Sequence, residues 1–202
     1  AMKQLTLKRT YEFAGKCLHT GTVSRIIVSP AEVGTGIRFR RLSDGAEVPA
    51  LASYVTTTDR STTIGKDGFS VQTVEHLLSA LYGMGVDNAL VQVEGIELPI
   101  LDGSAKFYVE AIAADGLAAQ DAEREYLELS EPVFVSNEKT GSWIKVEPAE
   151  VPSFDVTVDF GSRVLGVQQA HYDESVDYAG QIILATLSCI SPTSAAATSC
   201  WT

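Results

Sequence analysis

Residues 70–83 read SVQTVEHLLSALYG, and the rest of the sequence is organised around this stretch. Its large apolar residues recur at intervals of three and four positions, which is the spacing of one apolar helix face. The residues with this spacing are Val74, Leu77, Leu78 and Leu81. We therefore predict a helix with Ser70 as the cap at its start and with Gly83 and Gly85 marking its end.

An acid and an imidazole, Glu75 and His76, are adjacent on this predicted helix. Neighbouring helix positions point about 100° apart, so the two side chains contact each other poorly but can reach one cavity from different directions. That arrangement suits a metal-ligating histidine beside a carboxylate that takes a proton from metal-bound water. The same pair is also typical of a solvated acid beside a partly buried histidine, so the dipeptide alone leaves both interpretations open.

The flanking sequence predicts mostly strands and one further helix. Apolar and polar residues alternate over residues 5–13, which is typical of a half-buried strand. A second helix is predicted to begin at Ser104, as its cap, and to end at Asp115. Asp102 is expected to be buried and to hold the preceding turn through backbone hydrogen bonds. Further strands are predicted at residues 25–29, 36–40, 89–94, 126–135, 142–146, 154–160 and 164–172.

Four motifs lie in order along the chain and together point to one family. They are GKCLHTG at residues 15–21, TVEHLL at 73–78, GVDN at 85–88 and PILDGSA at 99–105. These motifs resemble the zinc-dependent UDP-3-O-acyl-N-acetylglucosamine deacetylases of lipid A biosynthesis. The resemblance runs from about residue 5 to about residue 181, and several motifs in the same order are far more specific than any one of them.

The resemblance implies an α+β fold with two domains of similar topology and the site between them. Each domain would have a sheet layered on two helices, like the second domain of ribosomal protein S5. Residues 118–124 turn polar and helix-breaking, so we predict a first domain at 1–124 and the start of a second, incomplete domain at 125–181. Residues 182–202 match no family motif, and we interpret this tail as weakly ordered or as a product of cloning or of a shifted reading frame.

The resemblance also implies roles for individual residues. Glu75 would be the catalytic base, His76 one zinc ligand and His19 a substrate-binding residue. A threonine-rich segment would border the metal pocket and the acyl chain of the substrate; its residues are Ser61, Thr62 and Thr63. Family members usually carry larger or apolar residues there. An ordinary strand at this segment, and a loop histidine bonded to backbone at position 19, remain alternatives.

The sequence does not supply a full set of zinc ligands. Its three histidines are His19, His76 and His171. None is followed by aspartate four positions later, whereas the family carries two further zinc ligands in a His-x-x-x-Asp helix and a further histidine as general acid. His171 falls where the family has a strand end, so it is a weak candidate. Because catalytic zinc usually takes three protein ligands, we expect a deacetylase fragment that is inactive by itself.

Composition limits the partners of the 202-residue chain. A formal net charge of −11 disfavours binding to nucleic acid and to anionic membrane surfaces. An anionic UDP-sugar would need a local basic patch, and the densest one is RFRR at residues 38–41, which is also typical of a solvated strand and turn. No apolar run approaches the ~20 residues that span a bilayer, and the start shows no secretory signal. We therefore predict a soluble, cytoplasmic protein without stable membrane insertion.

Two classes of function remain open. The first is an amidohydrolase that deacetylates UDP-3-O-(3-hydroxyacyl)-N-acetylglucosamine with Zn²⁺ as cofactor. The second is a non-catalytic binding or interaction module on the same fold, since one fold hosts many functions. An open reading frame that continues into a His-x-x-x-Asp helix would favour the enzyme.

Overall fold

The structure, a computed structural model, describes residues 2–159, 161, 163–164, 166–173, 175–176 and 178–179. These residues form a mixed α+β arrangement of strands with two α-helices, which confirms the predicted fold class. The detailed likeness to ribosomal protein S5 and the division into domains at residue 124 stay predictions. The tail predicted at 182–202 lies outside the described residues.

The elements follow the chain in a regular order. The strands are β1 Lys3–Leu7, β2 Tyr11–Lys16, β3 Val23–Pro30, β4 Ile37–Arg41, β5 Glu47–Pro49, β6 Val55–Thr57, β7 Thr63–Lys66, β8 Phe69–Gln72, β9 Ala89–Val93, β10 Leu117–Glu123, β11 Val133–Ser136, β12 Trp143–Val146, β13 Ser153–Asp159 and β14 Val167–Asp173. The helices are α1 Glu75–Gly83 and α2 Lys106–Asp115.

A five-stranded sheet in the order β2-β3-β9-β4-β5 carries the main core. Its neighbours are antiparallel except β4 and β9, which run parallel. Alternate residues of β3 and β9 are buried, as expected for strands with one face turned to a core. The buried side chains of both helices join the same cluster as those of the sheet, among them Leu77, Leu81, Tyr108 and Ile112. Both helices therefore pack against the core of this sheet.

A second sheet, β6-β7-β8, leads directly into α1. The prediction that Ser70 caps this helix is wrong, because Ser70 is exposed within β8 and pairs with Gly65 of β7. Val74 occupies the capping position instead. The predicted end is confirmed: α1 finishes at Gly83, and Gly85 adopts the left-handed conformation with φ of 79°.

The single strand predicted over residues 5–13 is wrong. The chain turns between β1 and β2, which belong to different sheets: β1 pairs with β10, and β2 pairs with β3. The residues 118–124, expected to be a helix-breaking boundary, form most of the regular strand β10. The strand prediction fails because β1 pairs with β10 from more than a hundred positions away, and no local pattern records that pairing. The domain boundary at 118–124 stays a prediction.

The turn before α2 differs from the prediction in two details. Asp102 is exposed rather than buried, although its Oδ1 does accept the N–H of Ser104 at 3.1 Å and so holds the turn. The helix begins at Lys106, and Ala105 takes the capping position in place of Ser104. The Ser104 hydroxyl still accepts the backbone N–H of Lys106, the first residue of α2, at 3.1 Å. Ser104 therefore stabilises the start of the helix from one position before the capping residue.

The second half of the chain forms two hairpins, β11–β12 and β13–β14. The predicted strand over 126–135 is reduced to the four residues of β11. Tyr178 lies after the hairpins and is 6% exposed. Its hydroxyl is 2.6 Å from the Oγ of Ser79, so this part of the chain contacts α1.

Candidate active site at the start of the first helix

The junction between β8 and α1 is an unusual turn at Thr73. This residue has φ of 61°, a left-handed conformation that β-branched residues rarely adopt. Its backbone N–H donates to the carbonyl of Thr62 at 3.1 Å, and its hydroxyl donates to Glu97 Oε1 at 3.1 Å. These two bonds hold the turn that sets the direction of α1.

Glu75 is the first residue of α1 and is 8% exposed. Its Oε1 accepts the backbone N–H of Thr62. The positive end of the helix dipole also favours a carboxylate at this position. The neighbours of Thr62 in sequence are Ser61, which is buried, and Thr63, which is half-buried. The structure thus brings Glu75 against the threonine-rich segment.

His76 is half-buried on the next helix position. Burial lowers the pKa of His76, and the carboxylates of Glu75 and Asp102 oppose this effect without overcoming it. The imidazole is therefore neutral at pH 7 and has a lone pair for a metal ion or a proton. Asp102 was predicted to act only in its turn, yet its carboxylate also opposes the lowering of the pKa of His76.

His19 lies in the loop between β2 and β3 and is exposed. Its backbone N–H donates to Glu97 Oε1 at 2.9 Å, and the N–H of Thr20 donates to Glu97 Oε2 at 2.9 Å. The loop is therefore tied by its backbone, while the ring of His19 is exposed to solvent.

Sequence reasoning missed Glu97. The residue is 1% exposed, and the only signal for it is a single acid within the apolar run IELPI at residues 96–100. Burial alone would raise the pKa of Glu97, but hydrogen bonds from the N–H groups of His19 and Thr20 and from the hydroxyl of Thr73 bring it down to about 2. Glu97 is therefore a carboxylate at any ordinary pH.

His171 has partners of its own on the β13–β14 hairpin. Its Nδ1 lies 2.7 Å from Asp155 Oδ1 on the facing strand, and its Nε2 lies 3.1 Å from Asp173 Oδ2. These hydrogen bonds, first that of Asp155 and then that of Asp173, raise the pKa of His171. A protonated imidazole does not ligate a metal, so this environment disfavours His171 as a zinc ligand.

The donors around α1 fit only part of a zinc site. His76 offers a neutral imidazole, whereas Glu75 already accepts the N–H of Thr62. Within the described residues there is no group of three or more His, Cys, Asp and Glu side chains that would hold a metal ion. Catalytic zinc usually takes three protein ligands, so the described residues supply one candidate ligand and no complete site.

The basic segment at residues 38–41 is largely neutralised by acids. Arg38 Nε lies 2.9 Å from a Glu47 oxygen, and Arg40 pairs with the other oxygen of the same carboxylate. Arg41 lies 2.6 Å from Asp44. This pairing favours the interpretation of a solvated strand and turn over that of an anion-binding patch.

Comparison with known proteins identifies the family of the chain. The sequence profile of the UDP-3-O-acyl N-acetylglycosamine deacetylase family matches residues 4–189. The chain belongs to this family. The match includes the loop of His19, the helix of Glu75 and His76, and the segment of Glu97.

Individual relatives support the assignment. A UDP-3-O-acyl-N-acetylglucosamine deacetylase of Saccharophagus degradans is 40% identical over 180 residues, 88% of this chain and 58% of that protein. A second one, of Geobacter sp., is 48% identical over 134 residues, 65% of this chain and 44% of that protein. A bifunctional enzyme LpxC/FabZ of Bacteroides thetaiotaomicron is 37% identical over 183 residues, 90% of this chain and 40% of that protein. The chain thus spans between 40% and 58% of the length of these three deacetylase-family relatives.

No helix among the described residues combines the length and the apolar character needed to cross a membrane.

Proposed function

We propose that this chain is the first part of a cytoplasmic, zinc-dependent hydrolase of lipid A biosynthesis. Its substrate would be UDP-3-O-(3-hydroxyacyl)-N-acetylglucosamine, from which it releases acetate. The observation that carries the proposal is the buried carboxylate of Glu75 beside the neutral imidazole of His76, in a chain of the deacetylase family. The names of the relatives support the substrate class.

In this proposal the two adjacent residues have different roles. His76 would be one ligand of zinc, which when bound polarises the amide carbonyl and makes water a stronger acid. Glu75 would take a proton from the attacking water as general base. Its carboxylate suits this role because the N–H of Thr62 fixes one oxygen and leaves the other for the water.

The substrate would lie against two segments, one that contacts the start of α1 and one that is joined to the preceding turn through Glu97. One is the segment of Ser61, Thr62 and Thr63, where Thr62 already contacts Glu75. The other is the loop of His19, whose exposed side chain is available to the substrate. The small polar residues at positions 61–63 would give the acyl passage a different shape from that of relatives with larger residues.

The remaining zinc ligands and the general acid would come from outside the described residues. Support for this comes from two observations: the described residues offer no cluster of three potential ligands, and the relatives are longer than the chain. The absence of a three-ligand cluster among the described residues also fits the alternative, a non-catalytic interaction module on this fold. Zinc content and deacetylation of the longer protein that contains this chain decide between the two.

The decisive experiment compares two substitutions in that longer protein. Glu75→Gln keeps the size of the side chain but cannot accept the proton, so kcat should fall by about 10²–10⁴. Its zinc content should stay near normal, because the base is not a ligand. His76→Ala should lower zinc occupancy and activity together, because it removes a ligand.

The matched control is Glu110→Gln, which changes an exposed acid on α2 and should leave kcat and zinc content unchanged. Equal zinc loss in the Glu75 and His76 variants would show that Glu75 is a ligand or a structural support. A longer protein that neither binds zinc nor releases acetate would overturn the enzyme and leave the interaction module.

A further inference from the structure

Glu97 is a buried acid whose partners are all neutral groups. It lies between β9 and α2 and is 1% exposed. Acidic side chains are almost never fully buried unless they are paired. Here two backbone N–H groups and a threonine hydroxyl take the place of a cation. A residue that needs three donors from two other segments constrains the position of both segments.

The two carboxylate oxygens of Glu97 divide these donors between two parts of the site. Oε2 accepts the N–H of Thr20 at 2.9 Å, and Oε1 accepts the N–H of His19 at 2.9 Å. Oε1 also accepts the hydroxyl of Thr73 at 3.1 Å. One side chain therefore joins the β2–β3 loop to the left-handed turn that comes two residues before Glu75.

The backbone around Glu97 is held by the same two neighbours. The N–H of Gln72 donates to the carbonyl of Ile96 at 3.0 Å, and the N–H of Leu98 donates to the carbonyl of Gln72 at 3.0 Å. On the other side, Cys17 Sγ donates to the carbonyl of Glu97 at 3.4 Å. The carboxylate thus projects from a segment whose backbone is bonded to Gln72 on one side and to Cys17 on the other.

We propose that Glu97 is a positioning residue of the deacetylase site, which holds the loop of His19 against the turn that orients Glu75 and His76. The catalytic meaning of this inference rests on the proposed function. The coupling between the loop and the turn is a property of the chain itself and can be measured without catalysis.

Amide hydrogen exchange of the 202-residue chain, followed residue by residue by NMR, tests the coupling. Hydrogen bonds to charged groups contribute about 1.5–3 kcal/mol, so the Thr20 and His19 amides should exchange about 10- to 100-fold faster in Glu97→Ala. In Glu97→Gln the single amide oxygen leaves an acceptor for only one of these two N–H groups, so one should stay protected. Glu94→Gln, an exposed acid nearby, is the control and should change neither.

The pattern of protection distinguishes positioning from a general loss of stability. If Glu97 only stabilised the fold, the amides of Leu77 and Leu81 inside α1 would lose protection by the same factor as those of the loop. That result, or unchanged protection of both His19 and Thr20 in Glu97→Ala, would overturn the proposal.

Kinetics of the longer, zinc-loaded protein supply the second measurement. Glu97→Gln should raise KM more than it lowers kcat, because the loop of His19 loses one of its bonds and would bind substrate less well. The turn at Thr73 keeps its backbone bond to Thr62, so Glu75 should stay in place. A fall in kcat without a change in KM would contradict the assignment to the loop. If the unsubstituted protein releases no acetate, the proposed function fails, and the exchange pattern still decides whether Glu97 couples the two segments.

Discussion

Glu75 and Glu97 are both buried acids near the start of α1, and their partners give them different properties. Glu97 accepts three hydrogen bonds over both oxygens, which stabilises its charge and leaves it no role as a base. For Glu75 the structure records a bond to one oxygen, from the N–H of Thr62. A carboxylate with an oxygen left for water is the better candidate for proton transfer, so burial alone does not identify the base.

The environment of Glu97 predicts how pH affects stability. Its pKa is near 4.5 when unfolded and about 2 in the fold, so the folded state favours the charged form. The stabilisation is complete above about pH 4.5 and is lost as the pH falls toward about 2, and its size is about 3 kcal/mol. Urea unfolding followed by circular dichroism should show Glu97→Gln strongly destabilised at neutral pH, with the difference from the unsubstituted chain shrinking in acid.

Glu94→Gln provides the comparison for this measurement, because Glu94 is exposed and its substitution should leave the pH profile unchanged. A constant stability difference between the unsubstituted chain and Glu97→Gln from neutral pH to about pH 2 would mean that the lost stability comes from packing and not from charge.

At the scale of the elements, α1 shows which features of a helix can be predicted from its own sequence. Its apolar residues at helical spacing predicted the element and its end at Gly83, because side-chain burial and glycine conformation are local properties. Its start was misplaced because β8 continues through Ser70 and the left-handed Thr73 then separates strand from helix. The two bonds that hold this turn join residues 11 and 24 positions apart, Thr73 with Thr62 and Thr73 with Glu97.

The ring of Tyr178 lies against Gly83 at the end of α1 and leaves no room for a side chain there. An alanine at position 83 would place its methyl carbon far closer than van der Waals contact to three ring carbons of Tyr178. Replacing glycine by alanine within a helix normally stabilises by up to about 1 kcal/mol. Here we expect Gly83→Ala to lower the free energy of unfolding by about 1–3 kcal/mol, the usual cost of an overpacked contact.

A double-mutant cycle with Tyr178→Ala isolates that contact. Without the ring, Gly83→Ala should become neutral or stabilising, because only the helix propensity of alanine remains. The same destabilisation by Gly83→Ala in both backgrounds would show that Tyr178 does not pack against Gly83 in solution.

For the whole molecule, the contacts that the sequence did not predict are mostly long-range. β1 pairs with β10 across more than a hundred positions, Glu97 meets the loop of His19 over 78 positions, and Ser79 meets Tyr178 over 99. The motifs identified Glu75, His76 and His19 as candidates, since family resemblance is a property of the sequence. The contacts that relate them depend on how the sheets bring separate segments together, and no single stretch contains that information.

The number of zinc ligands predicts the zinc content and the activity of the isolated 202-residue chain. His76 is the one imidazole beside Glu75, while His171 is bonded to Asp155 and Asp173 on the β13–β14 hairpin. Since three protein ligands are usual for catalytic zinc and metal affinity depends on the full set, we expect the purified chain to hold far less than one zinc ion and to release no acetate. Elemental analysis, followed by titration with micromolar zinc and an assay with and without a chelator, would measure both.

His76→Ala should then change neither zinc content nor activity in this chain, although it should lower both in the longer protein. One tightly bound zinc per chain, lost in His76→Ala, would mean that residues outside the described part complete the site within these 202 residues.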